Sequence, residues 1–357
     1  MGTGVPLQRE VGHVLIASVV LGLGFGERSL NFAELPLVGI LIGRNRLGTC
    51  LGETAARHRC YLIRPMKYSE NSLGIAAMLA AVGAFSMMDA VMKTLTGSYP
   101  PMQVAAMRGL SAMPLVCAYV WWQGEAPQLL RVRWPLHLLR GVIGVFMLSM
   151  FAFGVKRLSL TDAYAISFIA PLIITVLAVP FLKEAVHTRH WVCLLLGLLG
   201  VMVAMKPNAD AMLSIGALAV LGSAVCYAVS AVAGRVLSRT DTSSSLVFWM
   251  TLQLGLGAGV LAAPDWVPIA RADWLLIGAL AVTGFLGQLT ITQAFRHGQA
   301  AVVAPLEYTA LIWGAGLDWL IWRTLPGAHT LLGAMIIIAC GLYLMRHSRQ
   351  PVPHLSP

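Results

Sequence analysis

From Leu73 to Met345 the sequence runs as apolar blocks of about 20 residues, cut at polar or proline-bearing joints. A helix rises about 1.5 Å per residue, so each block can cross a hydrocarbon core about 30 Å thick. The blocks cover approximately 73–95, 101–122, 136–155, 160–182 and 189–206, then 213–235, 245–263, 272–294, 300–322 and 328–345. A chain patterned this way cannot cover a soluble globule with polar surface. Its charged residues are 11% of the total, against roughly 25% in soluble domains. The alternation expected of transmembrane β-strands is absent. The fold class is therefore all-α, a polytopic membrane protein with ten transmembrane helices.

The formal charge of +10 does not point to nucleic acid, because the basic residues form no single patch and sit between the apolar blocks. They report topology instead. With the N-terminus in the cytoplasm, ten basic residues fall inside: Lys67, Arg131, Arg133, Lys183, Arg189, Arg235, Arg239, Arg296, Arg346 and Arg349. Five fall outside: Lys156, Arg157, Lys206, Arg271 and Arg323. That asymmetry places both termini in the cytoplasm of a bacterial-type inner membrane. Of six cysteines, Cys117, Cys193, Cys226 and Cys340 lie inside apolar blocks and read as small core hydrophobes.

Residues 1–66 stand apart. Arg44, Arg46, Arg57, Arg59 and Arg64 crowd the second half, and the apolar run Val11–Phe25 is too short for a span and lacks the plan of a signal peptide. The run could form an interfacial helix, or the segment is not translated; Met66-Lys67 precedes a polar cap and the first strong block, which favours a start at Met66. The remainder divides into 67–208 with spans one to five, 209–348 with spans six to ten, and a cytoplasmic tail over 349–357.

An odd number of spans per half would orient the halves oppositely, which predicts two inverted five-helix repeats. At an offset of 142, Ser72, Leu73 and Gly74 meet Ser214, Ile215 and Gly216, Phe85 meets Tyr227, and Lys93 meets Arg235. Pro171 meets Pro305 at an offset of 134, whereas the following helices align at 140, so an insertion near the end of span nine is required.

The first half carries Asp89-Ala90 with Lys93, Arg108-Gly109, Leu139-Arg140-Gly141, and Asp162-Ala163 through Pro171-Leu172 to Glu184. The second half carries Ala294-Phe295-Arg296, Ala304-Pro305-Leu306-Glu307-Tyr308, Leu325-Pro326 and Gly333. In the order and spacing of these motifs the chain resembles the drug/metabolite transporter superfamily, in particular its ten-span members with two EamA domains, over about residues 70–348. Thr324 departs from the pattern, since the second copy often bears an acid matching Glu184. The resemblance implies a carrier of amino acids or related metabolites, with import and export both known in the group.

Charges inside spans cost about 2.5–3.5 kcal/mol each on insertion scales and should face protein or water. Asp89 lies six residues from the outer end of span one and Arg108 seven from that of span two, both roughly 10 Å deep. Either the two form a salt bridge, or the pair opens to water and binds the charged ends of a substrate. Lys93 is one turn above Asp89 on the same face and can line the site or snorkel to the interface. Arg140, about four residues from the inner end of span three, is expected to snorkel to the cytoplasmic surface.

Pro171 and Pro305 interrupt corresponding helices, the best pointer in the sequence to a central transport site. Glu307, Tyr308 and Trp313 follow the second break, and Glu307 is deep enough either to suit reversible protonation or to be a permanently paired structural acid. Tyr227 and Gln288 can line the same cavity, although Tyr227 also fits ordinary packing.

Gly22, Gly24 and Gly26 lack dinucleotide-binding spacing, His187 and His190 lack further metal ligands, and neither a Walker loop nor a nucleophile elbow is present. No cofactor, metal or catalytic residue is expected, and the chain reads as a non-enzyme. The expected partners are a small-molecule substrate and the lipid bilayer, and the reading admits proton coupling and a homodimer but no nucleic acid. Gly255–Gly259 reads as a close helix contact. The leading function is secondary transport of a small organic metabolite, an amino acid or related zwitterion or carboxylate. The alternatives are a membrane-embedded enzyme on a lipid-linked substrate and a passive channel or scaffold subunit. Reporter fusions at Asp210 and Pro357 are expected to fall on opposite sides of the membrane; identical locations would refute the ten-span topology.

Overall fold

A computed structural model describes residues 70–155, 157–158, 160–184, 186–206, 214–322 and 327–347. The extension over 1–66 with the start at Met66, the tail over 349–357, and Thr324, Leu325 and Pro326 lie outside the described residues. Among the described residues every regular element is helical. In the first half the helices are Glu70–Leu95, Pro101–Gln123 and Trp134–Val155, then Leu160–Ser167 with Ala170–Leu177, and Thr188–Met205. In the second half they are Ile215–Leu237, Ser243–Ala262, Trp274–His297, then Ala300–Val303 with Ala310–Trp322, and Ala328–His347. Nine stretches of the described residues are long and apolar enough to cross a membrane. The tenth span has a shorter apolar stretch, Ala328–Tyr343, within its 20-residue helix.

Local chemistry sets the ends of these helices. Pro101 opens span two after Pro100, where its missing N–H leaves no bond unmade, and Gly124 closes that span in the left-handed conformation at φ 68°. The Ser214 hydroxyl accepts the Ala217 N–H at 3.2 Å, and Thr242 does the same for Ser245 at 3.2 Å. Both internal prolines stand at breaks. Pro171 begins Ala170–Leu177 after the interruption at Phe168 and Ile169, and Pro305 begins a 3-10 run over Ala304–Thr309.

The packing has the pattern of an inverted repeat. Span one packs chiefly on span eight and span three on span six, while span two packs on seven and five on ten. Exchanging the halves converts the first pair into the second and returns the last two to themselves. Glycines occupy the closest points of these seams. A methyl group on Gly109 would come within 2.5 Å of the Gly255 Cα between spans two and seven. One on Gly74 would come within 2.5 Å of Gly298, and Gly216 approaches the Gly154 carbonyl in the corresponding place on the opposite side. Gly74 and Gly216 are the residues that align at an offset of 142, so part of the sequence echo is a shared contact between backbones.

One side of the bundle, here called the basic face, collects the joints that hold Arg133, Lys183, Arg235, Arg239 and Arg296. The opposite face collects the turn between spans one and two and the segment 263–273. There the Tyr99 hydroxyl donates to Asp273 Oδ2 at 2.7 Å and accepts the Ala270 N–H at 2.9 Å. Gln103 Nε2 donates to the Val267 carbonyl at 2.6 Å, and Gln103 Oε1 accepts the Val267 N–H at 2.9 Å. Beneath these bonds lies a cluster that includes Met88, Leu95, Val104, Met107, Ile277 and Leu280.

Gly255 serves the close contact expected of the Gly255–Gly259 stretch, and Gly257 abuts Val145, whereas a methyl group on Gly259 would have no atom within 4 Å. Gly109→Val is therefore expected to lower unfolding stability in detergent by about 1–3 kcal/mol through overpacking, while Gly259→Ala leaves it unchanged. Equal effects of the two substitutions on thermal unfolding would refute the seam.

Candidate functional site

Spans one, two, three, six, seven and eight enclose a cavity of about 260 Å³. Six spans supply its wall because they form the three mutually packed pairs described above, while spans four, five, nine and ten stand behind them. Its polar lining consists of Asp89, Arg108, Arg140, Tyr227, Ser230, Gln288 and Thr292. Phe85, Met88, Met147, Met250, Ile291 and Phe295 supply much of the apolar surface. Methionines suit such a wall, being flexible enough to repack around solutes of different shape.

Asp89 and Arg108 share this space. Asp89 is open to it, and Arg108 lies with its guanidinium carbon 5.6 Å from the centre of the Phe85 ring. Their charges attract across the cavity, but among the described residues no ion pair joins them within 4.0 Å and neither side chain is hydrogen-bonded. The salt bridge, one of the two arrangements open to the pair, is therefore not formed in this structure.

Tyr227 stands at the rear wall and donates to Glu307 Oε1 at 3.0 Å. Glu307 is thus joined to the cavity through one phenol while itself lying outside the lining residues. Tyr308 points the other way, 1% exposed among Leu194, Val201 and Ile337 and against Gly197. Trp313 covers Gly83 and is 43% exposed, and Lys93 is exposed in the last turn of span one. These three are not lining residues of the cavity, because their helices turn them toward span five, span one's far side and the interface. Gln288 is a lining residue, partly exposed.

Arg140 departs from the expectation of snorkelling. It is 8% exposed and lines the cavity, with its Nη2 atom 3.2 Å from where a methyl group on Gly234 would sit. The helix begins at Trp134, so Arg140 is six residues inside rather than four, and the missing side chain at Gly234 leaves room for it. The short distance to the helix end was a misleading signal, and the useful one, a glycine 94 residues away in span six, cannot be paired with it from sequence. A neighbouring buried pair was also not legible: His137 Nε2 lies 2.9 Å from Asp241 Oδ2, which accepts the Arg133 backbone N–H at 3.2 Å.

At the basic face the helices are tied by a knot around Glu184. Its Oε2 accepts the Ala300 N–H at 2.8 Å, and its Oε1 lies 3.6 Å from Arg235 Nε. Arg235 Nη1 donates to the carbonyls of Phe295 and Arg296 at 2.6 and 2.5 Å, and Arg239 reaches the Leu182 carbonyl at 3.1 Å. Spans four, six, eight and nine are thereby tied at one end, as the Tyr99 and Gln103 bonds tie the other. Groups of three or more His, Cys, Asp or Glu arranged to hold a metal are absent among the described residues.

Residues 72–206 and 214–346 each match the EamA-like transporter family. The pseudopaline exporter CntI of Pseudomonas aeruginosa is 30% identical over 274 residues, 76% of this chain and 96% of that protein. The S-adenosylmethionine uptake transporter of Rickettsia bellii is 26% identical over 275 residues, 77% of this chain and 94% of its own. The riboflavin transporter of Vibrio cholerae is 26% identical over 269 residues, 74% and 90% of the two chains. A solved crystal structure superposes with a TM-score of 0.68 at 20% identity, covering 79% of this chain and all of the other, which shows the shared fold.

Because neither Asp89 nor Arg108 has a hydrogen-bonding protein partner, removing them should cost little stability. Asp89→Asn and Arg108→Gln are expected to leave thermal unfolding of the empty protein within roughly 1 kcal/mol of the parent while weakening solute binding. A large loss of stability in either variant would instead identify a structural ion pair.

Proposed function

The chain belongs to the EamA-like transporter family, and from that premise we propose that it is a secondary carrier of a small zwitterionic or carboxylate metabolite. The observation that carries this reading is the pair Asp89 and Arg108, two opposite charges with no hydrogen-bonding partners among the described residues, facing one cavity between inverted halves. An amino acid presents an ammonium and a carboxylate a few ångströms apart, the charges complementary to this pair. The relatives' named solutes, pseudopaline, S-adenosylmethionine and riboflavin, differ widely in chemistry, so the side chains of this cavity are the better guide to the solute.

Alternating access needs closures at both faces that can be broken in turn. The Glu184–Arg235 knot and the Tyr99–Asp273 and Gln103–Val267 bonds fit that role. The distribution of basic residues supports placing the knot on the cytoplasmic side of an inner membrane, with both termini inside.

Proton movement is assigned to Glu307. Its carboxyl is held by the Tyr227 hydroxyl, and that hydroxyl belongs to a lining residue, so one short relay connects the acid to the solute's space. Protonation of Glu307 would remove its charge and alter the hydrogen bond from Tyr227, which changes the cavity wall as the solute binds or leaves. Glu307→Gln, a permanent imitation of the protonated acid, is expected to stop uphill accumulation in liposomes while counterflow exchange continues. Undiminished pH-driven accumulation by that variant would remove Glu307 from the coupling.

A further inference from the structure

The cavity contains one more positive charge than the proposed amino-acid head group uses. Asp89 and Arg108 answer an ammonium and a carboxylate, but Arg140 lines the same space and is 8% exposed. Among the described residues its guanidinium has no hydrogen bond or ion pair, and its Nε is fully enclosed without a partner. An unpaired guanidinium in a membrane interior is costly and is ordinarily paired or solvated. Asp241, an acid on its side of the bundle, is already engaged by His137, Thr240 and the Arg133 N–H. Gly234, opposite the guanidinium, leaves the gap through which it enters the cavity.

Arg108 stands seven residues below the end of its helix at the opposite face, and Arg140 six above the end of its own at the basic face. At a rise of about 1.5 Å per residue, their backbones are roughly 14 Å apart along the helix axes before the long side chains converge. Two cationic stations at opposite ends of one cavity, with a carboxylate beside only one of them, define a pattern of charge. We propose that Arg140 is a second anion station and that the solute is an amphoteric diacid, an α-amino acid whose far end carries another acidic group. This inference rests on the carrier reading above and narrows its solute class. The amino-acid head sits between Asp89 and Arg108, the chain lies along Met147 and Met250, and the distal acid meets Arg140 near the basic face.

The test compares α-aminopimelate with its methyl-terminated analogue α-aminoheptanoate, using binding to the purified full-length protein and counterflow in liposomes. The native protein should bind the diacid more tightly by roughly 10- to 100-fold, the range of a hydrogen-bonded charge. Arg140→Gln should abolish that preference, keep binding of the monoacid, and unfold at an equal or higher temperature than the native protein when empty. Arg140→Lys should restore part of the preference. Equal affinity for the two acids in the native protein, or a preference that survives Arg140→Gln, would overturn the second station and leave the carrier reading standing. So would a fall in the unfolding temperature with loss of both ligands together, since that result marks a structural arginine. A diacid preference lost in Arg140→Gln but unaccompanied by counterflow would support the station and count against the carrier.

Discussion

A charge within hydrocarbon must find water, a countercharge or a ring of dipoles, and the arrangement of this bundle follows from where its few deep charges find them. Glu184 and Arg235 face each other at 3.6 Å and between them bond three backbone groups at one face. His137 and Asp241 make a second closed pair beside it. Asp89, Arg108 and Arg140 do neither, and all three line the cavity. The paired charges fasten helices together, while the other three are the ones the proposed function draws on. Unpaired charge within a bundle lowers stability, and its presence at three places around one cavity supports the proposal of a charged solute.

The inverted repeat gives that space its position. Spans one, two and three with six, seven and eight form a ring of crossed pairs, and the remaining spans brace it from outside. The breaks before Pro171 and at Pro305 lie in the bracing spans, not in the wall. Their influence on the cavity is indirect, through the turn that presents Glu307 to Tyr227. The two faces are fastened by different chemistry, an ionic knot at one and bonds of a tyrosine and a glutamine at the other. A departure from symmetry was already visible in the sequence, where Thr324 stands in place of an acid matching Glu184.

The class of fold was legible because apolar length is a local property, read within one block at a time. The repeat was legible at Ser72–Gly74 and Ser214–Gly216 because a backbone contact that excludes a side chain leaves its mark as glycine. Asp89, Arg108, Tyr227 and Gln288 were legible as deep polar residues, and all four are lining residues. Depth alone could not say which way a helix is rotated, and that is the information missing for Tyr308 and Trp313. Arg140 shows the converse problem. Counting residues to a helix end suggested the surface, whereas the gap at Gly234, contributed by the other half of the chain, draws it inward.

The glycine seams carry a consequence for motion. Where Gly109 meets Gly255, and where Gly74 meets Gly298, two backbones touch with no side chain between them. An ordinary helix interface is a set of interlocked rotamers, and sliding it means unseating each one and refitting it. Glycine has no rotamers to unseat and loses no side-chain entropy on contact. Yet a shift of one helix past the other would carry side chains into these points, where even a methyl group meets backbone at 2.5 Å. The seams therefore act as fixed points: they set one separation and one register, so that a rearrangement which leaves them in place turns about them rather than sliding along them.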